Sequence, residues 1–192
     1  MSSMLDMILS TIIFGIATIL LLTLRGTMGD ARDARTLELS SLRSADDLSL
    51  ILETDFYRMG YRVQNEVITL ADSDMIVFKI GRDENNGNPD SIRYVLGALN
   101  ESSSAFSRPL YRQLNTDTPR NVANGLQAFS IVYLDSVGNT IAYDSLTTPL
   151  GRAQIRSFNL RFKTQQPRSG ADSAYTPVYV QKRVTPRNLR NF

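Results

Sequence analysis

Hydrophobic positions are densest at the start of the chain, where residues 7–24 read MILSTIIFGIATILLLTL without a single charge. As an α-helix that rises about 1.5 Å per residue, this run reaches roughly 27 Å, close to the hydrocarbon thickness of a bilayer. A cleaved signal peptide would carry basic residues ahead of a shorter run and small residues behind it, and the sequence has none of these features. The pattern therefore predicts a retained transmembrane or filament-core helix over residues 1–26.

The pattern changes after Arg25, where apolar residues recur at steps of three or four among charged ones. These apolar residues predict one buried helix face, made of Leu42, Ala45, Leu48, Leu52, Phe56 and Met59. The acidic residues of the same stretch are expected on the other faces: Asp46, Asp47, Glu53 and Asp55. Residues 27–60 are therefore predicted to continue the helix as an amphipathic segment that packs on a sheet and stops at Gly60. A free coiled-coil seam is the alternative for the same apolar stripe.

Beyond Gly60 the period of the pattern falls to two, which is typical of β-strands. Predicted strands cover residues 66–70, 75–80, 91–96, 108–114, 126–134, 155–163 and 177–184. The strand at 126–134 is apolar on both faces and is expected at the centre of the sheet, whereas Pro109 marks the strand at 108–114 as an edge strand. Residues 135–139 are expected to turn the central strand into a hairpin with residues 140–143.

The strand predicted over residues 155–163 alternates most cleanly. Its apolar residues, which are expected to face the core, are Phe158, Leu160 and Phe162. Its polar residues, which are expected to face water, are Ser157, Asn159, Arg161 and Lys163. Residues 61–192 are therefore predicted to form an antiparallel β-sheet domain in which Pro186 ends regular structure. The predicted fold class is α+β, with a long N-terminal helix packed on an antiparallel β-sheet.

Composition narrows the possible chemistry. The 192 residues include no Cys and no His, which excludes thiol nucleophiles, Cys/His zinc sites and His-based triads. We expect no enzymatic activity, no cofactor and no metal site. Residues 83–90 offer the oxygen ligands that calcium prefers, but their spacing misses the EF-hand pattern, so calcium is only a weak alternative. The basic end, residues 168–192, is expected to be solvated rather than a nucleic-acid surface.

Asp6 is the one ionisable side chain at the edge of the apolar run. A carboxylate inside a membrane segment is costly, which makes it a functional candidate by default. The alternative is structural, because an aspartate near the start of a helix can cap its N-terminus and interact with the helix dipole.

Several segments resemble those of type IV pilins, and most closely the minor pilins and pseudopilins of type IV pili and type II secretion systems. The family's helix end, which closes on Gly-Tyr, is similar to residues 52–61 (LETDFYRMGY). Its "Y-x-L … L-x-R" segment resembles SIRYVL at 91–96 followed by RPLYR at 108–112. Its hairpin resembles VANGLQAFSIVYLDSVG at 122–138, and its terminal "v-x-x-R-N" signature resembles VTPRNL at 184–189. The residues ahead of the apolar run do not resemble the basic leader that is typical of the family.

The resemblance implies a role for the N-terminus in assembly. If Met1 is removed before Ser2, Asp6 becomes the fifth residue, where the family places an acidic residue. In the family that residue is thought to neutralise the N-terminal amine of a neighbouring subunit. Ser2 and Asp6 are therefore the candidate assembly residues.

The resemblance also implies function and location. The expected function is that of a structural subunit of a pilus or secretion pseudopilus, with other pilin-like subunits, inner-membrane assembly machinery and membrane lipid as partners. The alternative is a single-pass membrane-anchored accessory or binding protein that does not enter a filament. Arg25, Arg32 and Arg35 follow the apolar run, and the positive-inside rule alone would place the sheet domain in the cytoplasm. From the resemblance we expect it outside the cytoplasmic membrane.

Overall fold

The computed structural model describes residues 2–81, 88–99, 107–164 and 177–191. The chain divides into two compact units, Met1–Ser40 and Ser41–Phe192. Helix α1 covers Ser2–Arg58 and therefore supplies residues to both units. The predicted long N-terminal helix is confirmed.

The first unit consists of the N-terminal part of α1. The helix passes without interruption through Gly15, Gly26 and Gly29, which the sequence marks as places where it could bend or melt. The apolar side chains of residues 7–24 are exposed within this unit. The helix in this unit therefore forms without side-chain packing inside the unit.

The second unit contains seven antiparallel strands in sequential order, so every strand pairs with its neighbours along the chain. The strands are β1 Ile68–Ala71, β2 Met75–Ile80, β3 Asp90–Leu96, β4 Arg108–Leu114, β5 Arg120–Leu134, β6 Ser157–Thr164 and β7 Val178–Val184. The link between β5 and β6 carries a 3-10 helix, Tyr143–Thr147, and the short helix α2, Pro149–Ala153. A second 3-10 helix, Arg187–Asn191, follows β7. The predicted α+β class is confirmed.

Strand β5 divides the sheet into two parts. Its N-terminal half pairs with β4, with Arg120 opposite Arg112 and Leu126 opposite Arg108. Its C-terminal half pairs with β6, from Leu126 to Leu134. The pairing changes at a bulge beside Gly125, whose φ of 83° is a left-handed conformation that favours glycine. Because the strand changes partners along its length, the sheet curls around it.

The core of the second unit lies between the sheet and one stripe of α1. The buried helix residues are Ala45, Leu48, Leu52, Phe56 and Met59, as predicted. Phe56 sits at the centre of this core, with its ring centroid 5.3 Å from that of Phe78 and 5.0 Å from that of Phe158. The sequence predicts Leu42 on the same stripe, but Leu42 is 41% exposed, because the buried face begins at Ser41 and Ala45 instead. The dry face predicted for β6 is confirmed by the burial of Phe158, Leu160 and Phe162.

Two predictions about individual strands are wrong, one about the position of β4 and one about the faces of β5. Strand β4 is not an edge strand, since it lies between β3 and β5. Pro109 is tolerated there because its missing N–H faces Gly97, just past the end of β3, and the Gly97 carbonyl accepts a hydrogen bond from Arg108 Nε over 2.7 Å instead. Strand β5 is not apolar on both faces, since buried residues alternate with half-buried ones over its C-terminal half.

The structure also differs from the predictions in several local details. The expected strand at residues 140–143 is reduced to one bridge between Leu134 and Thr140. The turn between β1 and β2 lies beside β5 instead. There the Ile131 N–H donates a hydrogen bond to the Ser73 carbonyl over 2.8 Å. Ser157, expected on the wet face, is buried and accepts a hydrogen bond from Arg183. Regular structure continues after Pro186 as a 3-10 helix.

A truncated protein that begins at Met28 should be soluble and should unfold cooperatively. The buried hydrophobic residues run from Ala45 to Leu189, so the core lies within the second unit. Circular dichroism and thermal melting would test this expectation. In the same background, Leu52→Ala should cost about 2–5 kcal/mol of unfolding free energy, whereas Leu50→Ala on the exposed face should cost little. An aggregated or non-cooperative product would show that the apolar segment is needed for folding.

Candidate functional site

The largest exposed apolar surface of the chain is the N-terminal segment of α1. A helix long and apolar enough to cross a membrane lies near the N-terminus, and none of its apolar window is buried within the structure. Its exposed hydrophobic residues include Met7, Ile8, Ile12, Ile16, Ile19, Leu20 and Leu24. A continuous apolar surface of this length requires a lipid or protein partner to cover it.

The threonine hydroxyl groups within this segment are satisfied by the helix itself. Thr11 donates to the Ile8 carbonyl over 2.8 Å, Thr18 to the Phe14 carbonyl over 2.8 Å, and Thr23 to the Leu20 carbonyl over 2.9 Å. Such internal bonds remove most of the cost of placing a hydroxyl in an apolar environment. The threonines therefore do not prevent this segment from entering lipid or a protein core.

Asp6 is exposed within the first unit. Helix α1 begins at Ser2, four residues earlier, and its first turn contains no acidic residue. Asp6 therefore does not lie in the first turn of the helix. In the described part of the chain the Asp6 carboxylate has no hydrogen-bond or ion-pair partner. Ser2 and Asp6 lie one helical turn apart, and their role in assembly stays a prediction.

A buried polar cluster fastens α1 to the sheet. The Asp55 carboxylate lies inside the apolar stripe of the helix and is only 6% exposed. It accepts a hydrogen bond from the Tyr94 hydroxyl over 2.5 Å. Arg112 donates to the same carboxylate through Nε over 2.6 Å and through Nη2 over 3.2 Å. One carboxylate thus binds residues from β3 and β4 at once.

This cluster corrects the expectation that Asp55 points away from the core. Asp55 follows Leu52 by three residues and precedes Met59 by four, so its spacing already belongs to the buried stripe. Hydropathy alone assigns a carboxylate to water, and the partner that permits its burial, Arg112, lies 57 residues further along the chain. The helical spacing of Asp55 is the signal that could have predicted its burial, but only the register of the sheet identifies Arg112 as its partner.

The ionisation of the cluster follows from its surroundings. Burial, with the negative charge of Asp55 beside it, raises the pKa of the Tyr94 hydroxyl far above its ordinary value. The hydrogen bond to Asp55 raises the pKa of Arg112. Tyr94 therefore stays neutral as a donor and Arg112 stays charged, which suits a structural fastening better than proton transfer.

Three segments that are remote in sequence, residues 52–61, 108–112 and 184–189, meet where α1 ends. Asp55 belongs to the first segment and Arg112 to the second. Asn188 belongs to the terminal segment, and its side-chain amide donates a hydrogen bond to the Met59 carbonyl over 3.3 Å. The chain then turns sharply, and Gly81 lies so close to this turn that a Cβ there would come within 2.4 Å of the Tyr61 carbonyl oxygen. Three remote parts of the chain are therefore joined at one structural junction.

The segment at residues 122–138 ends in a tight turn after β5. The Asp135 carboxylate accepts hydrogen bonds from the backbone N–H groups of Val137, Gly138 and Asn139, over 2.9, 2.7 and 2.8 Å. These donors, led by Asn139, hold the pKa of Asp135 below its usual range. Gly138 has a φ of 97°, which explains the glycine in this position. Asp135 and Gly138 thus have a structural role in this turn.

A shallow apolar groove lies beside β1 and α2, with a volume of about 400 Å³. Its apolar lining comes mainly from Val67, Ile68, Leu150 and Ile155. Arg152 on its border is already occupied, since its Nε donates to both Glu66 and the Ile68 carbonyl over 3.0 Å. The described residues of this groove therefore bring together no nucleophile or acid–base pair.

Metal binding is a weak alternative from the sequence. Among the described residues, no group of three or more acidic side chains is placed to hold an ion. Most of the loop at residues 83–90 lies outside the described residues. Asp90, at its end, is buried and accepts a hydrogen bond from the Asn115 amide over 2.9 Å.

No protein-family model matches this chain. A search of curated protein sequences likewise finds no significant relative.

Replacing Asp55 tests the buried cluster. Asp55→Ala should lower the unfolding free energy by about 2–4 kcal/mol, because it leaves the Tyr94 hydroxyl buried without its acceptor and Arg112 without its counter-charge. Urea denaturation of the protein that begins at Met28 would measure this loss. Asp47→Ala, on the exposed face of the same helix, is the matched control and should change stability by less than about 0.5 kcal/mol. Equal effects of the two substitutions would contradict the assigned role of Asp55.

Proposed function

We propose that this chain is a structural subunit of a type IV pilus-like filament or a secretion pseudopilus, and that it assembles through the apolar segment of α1. The observation that carries the proposal is this segment, exposed along its whole length and joined to a second unit that has a complete core of its own. The pilin-like segments that meet at the end of α1 add support. The proposed role is structural rather than enzymatic.

The mechanism we propose is an exchange of apolar surroundings. Before assembly, the segment spans the cytoplasmic membrane and its side chains contact lipid. In the filament, segments from neighbouring subunits bundle into a core, and helix–helix packing replaces the lipid contacts. The sheet domains coat the outside of the filament. The internal bonds of Thr11, Thr18 and Thr23 suit both environments equally.

Asp6 supplies the polar interaction in this mechanism. An unpaired carboxylate in a dry helix bundle costs several kcal/mol, so it needs a counter-charge. No Lys or Arg precedes Arg25, which leaves the amine of Ser2 on an adjacent subunit as the nearest cation, provided that Met1 is removed. Pairing with that amine would fix the axial position of one subunit against the next.

A second candidate function uses the same segment differently. A helix that can cross a membrane is sufficient to anchor a single-pass accessory or binding protein that never enters a filament. Shearing intact cells separates the two functions. Recovery of the chain in the filament fraction supports the subunit role, whereas its retention in the membrane fraction of piliated or secreting cells supports the anchored role.

The subunit role requires the sheet domain outside the cytoplasmic membrane, despite Arg25, Arg32 and Arg35 after the apolar run, whereas the anchored accessory role also allows a cytoplasmic domain. A reporter enzyme that is active only outside the cytoplasm, fused after Phe192, should therefore be active. The same fusion lacking residues 1–26 is the control and should be inactive. An inactive but stable full-length fusion would place the domain in the cytoplasm, as the positive-inside rule alone suggests.

The subunit role predicts separate effects of Asp6 on assembly and on folding. Asp6→Ala should leave expression, membrane insertion and the thermal melting of the sheet domain unchanged, because Asp6 is exposed and forms no hydrogen bond or ion pair within the described part of the chain. It should strongly reduce recovery of the chain in sheared filaments. Immunoblotting of the membrane and filament fractions would measure the distribution.

Two further substitutions make the test specific. Asp6→Glu keeps the charge and should assemble nearly normally, and Ser3→Ala, an uncharged change in the same turn, should have no effect. Normal assembly of Asp6→Ala would remove the proposed charge pairing. It would leave the burial of the apolar segment as the sole driving interaction.

A further inference from the structure

A polar pocket of about 470 Å³ lies where β5 and β7 end and β6 begins. We call it the β5–β7 pocket. Its lining residues all belong to the second unit: Asp135, Ser136, Arg156, Ser157, Arg183 and Thr185. Two arginines and three hydroxyl groups stand against one carboxylate, so hydrogen-bond donors predominate. The pocket is therefore suited to a ligand that is rich in acceptors.

Arg183 extends across β6 into this pocket. On β7 it lies opposite Asn159 of β6, and its Nη2 donates a hydrogen bond over 3.2 Å to the hydroxyl of Ser157, two residues earlier in β6. The same nitrogen lies beside the turn after β5, because a Cβ built on Gly138 would be 3.6 Å from it. These neighbours fix the position of the guanidinium group, whose other N–H groups are available to a ligand.

Ser157 has an unused donor inside the pocket. The residue is only 2% exposed, and its hydroxyl oxygen accepts the hydrogen bond from Arg183. Within the described part of the chain, the hydroxyl proton itself has no hydrogen-bond acceptor. A buried donor without an acceptor costs free energy comparable to a lost hydrogen bond. An acceptor atom of a bound ligand would remove that cost.

No acidic side chain among the described residues forms an ion pair with Arg183. The described ion pairs join Arg112 to Asp55, Arg152 to Glu66 and Lys182 to Glu53. The carboxylate that borders the pocket, on Asp135, accepts hydrogen bonds from the N–H groups of its own turn instead. Arg156 adds a second positive charge, so the lining carries two positive charges against one negative charge.

The strand face that leads to the pocket is also basic. Arg161 and Lys163 follow Ser157 at alternate positions, on the same face of β6. The Arg161 Nε is buried and has no hydrogen-bond partner among the described residues. No acidic residue is paired with either cation, since their partners on β5 and β7 are Ser130, Ala128, Gln181 and Tyr179. This face therefore attracts anions towards the pocket.

We propose that the β5–β7 pocket binds an oxyanion, a phosphate or sulfate group, with Arg183 and Ser157 as its principal ligands. The planar guanidinium group can donate to two oxygens of such a group at once, and the serine hydroxyl can donate to another. The pocket is far larger than one such group and falls within the size range of small-molecule sites. The ligand is therefore a larger molecule that carries the group, such as a phosphorylated or sulfated sugar.

Equilibrium dialysis of the full-length chain in micelles of an uncharged detergent tests this pocket. The probes are glucose 6-phosphate, glucose 6-sulfate, inorganic phosphate and uncharged glucose, all at constant ionic strength because salt screens exposed charges. At least one ester should bind saturably and more tightly than inorganic phosphate, and glucose should not bind. The ester that binds more tightly identifies the group as phosphate or sulfate.

Substitutions make the test specific to the pocket. Arg183→Gln should weaken binding of the tighter ester about ten- to hundredfold, and Ser157→Ala about two- to tenfold, the losses expected for charged and neutral hydrogen bonds. Arg183→Lys keeps the charge without the planar fork, so its affinity should be intermediate. Arg120→Gln removes the same charge at the other, exposed end of β5 and should change the affinity by less than about twofold. Thermal melting of each variant checks that the sheet domain is folded.

Other outcomes overturn specific parts of the inference. Absence of saturable binding of both esters, or equal losses from Arg183→Gln and Arg120→Gln, would show that the pocket is not an oxyanion site. Equal affinities for the esters and for inorganic phosphate would overturn the larger ligand and leave only the ion. The inference does not depend on the proposed function, because every residue of the pocket lies in the second unit and binding is measured without filaments.

Discussion

The second unit depends on burying one stripe of α1 against a curled sheet, and Asp55 is the most demanding member of that stripe. A carboxylate in an apolar core is stable only when its charge and its lone pairs are met there. Arg112 and Tyr94 meet both requirements from two different strands. Because those strands must be in register to do so, the cluster favours one arrangement of helix and sheet over others that would bury a similar apolar area.

Much of this fold could be predicted from local periodicity. The change from a helical to an alternating pattern near Gly60 marks where α1 gives way to the sheet, and the alternation along β6 identifies its buried face. Position within the sheet could not be predicted in the same way. Pro109 indicates an edge by its missing N–H, but the Gly97 carbonyl opposite it is satisfied by the Arg108 side chain, a contact that the sequence pattern does not reveal. The sequence pattern misplaces Asp55 for the same reason, since Arg112 is remote in sequence.

The candidate site could likewise be predicted only in part from the sequence. The apolar segment is evident from composition alone, because its partner, lipid or a neighbouring helix, needs no particular side chain. Asp6 and Ser2 could be singled out but not paired, since the Asp6 carboxylate has no hydrogen-bond or ion-pair partner among the described residues.

The divided pairing of β5 has a consequence for how the domain opens. Four strands connect to its N-terminal half and two to its C-terminal half, yet all share the same fifteen-residue backbone. Neither half of the sheet can detach without exposing the edge of β5 that the other half needs in order to stay aligned. The domain is thus a single cooperative unit, and amide hydrogens in β2 and β6 should exchange with solvent at one common opening free energy. Among the described strands, unfolding would therefore expose both halves of the sheet together.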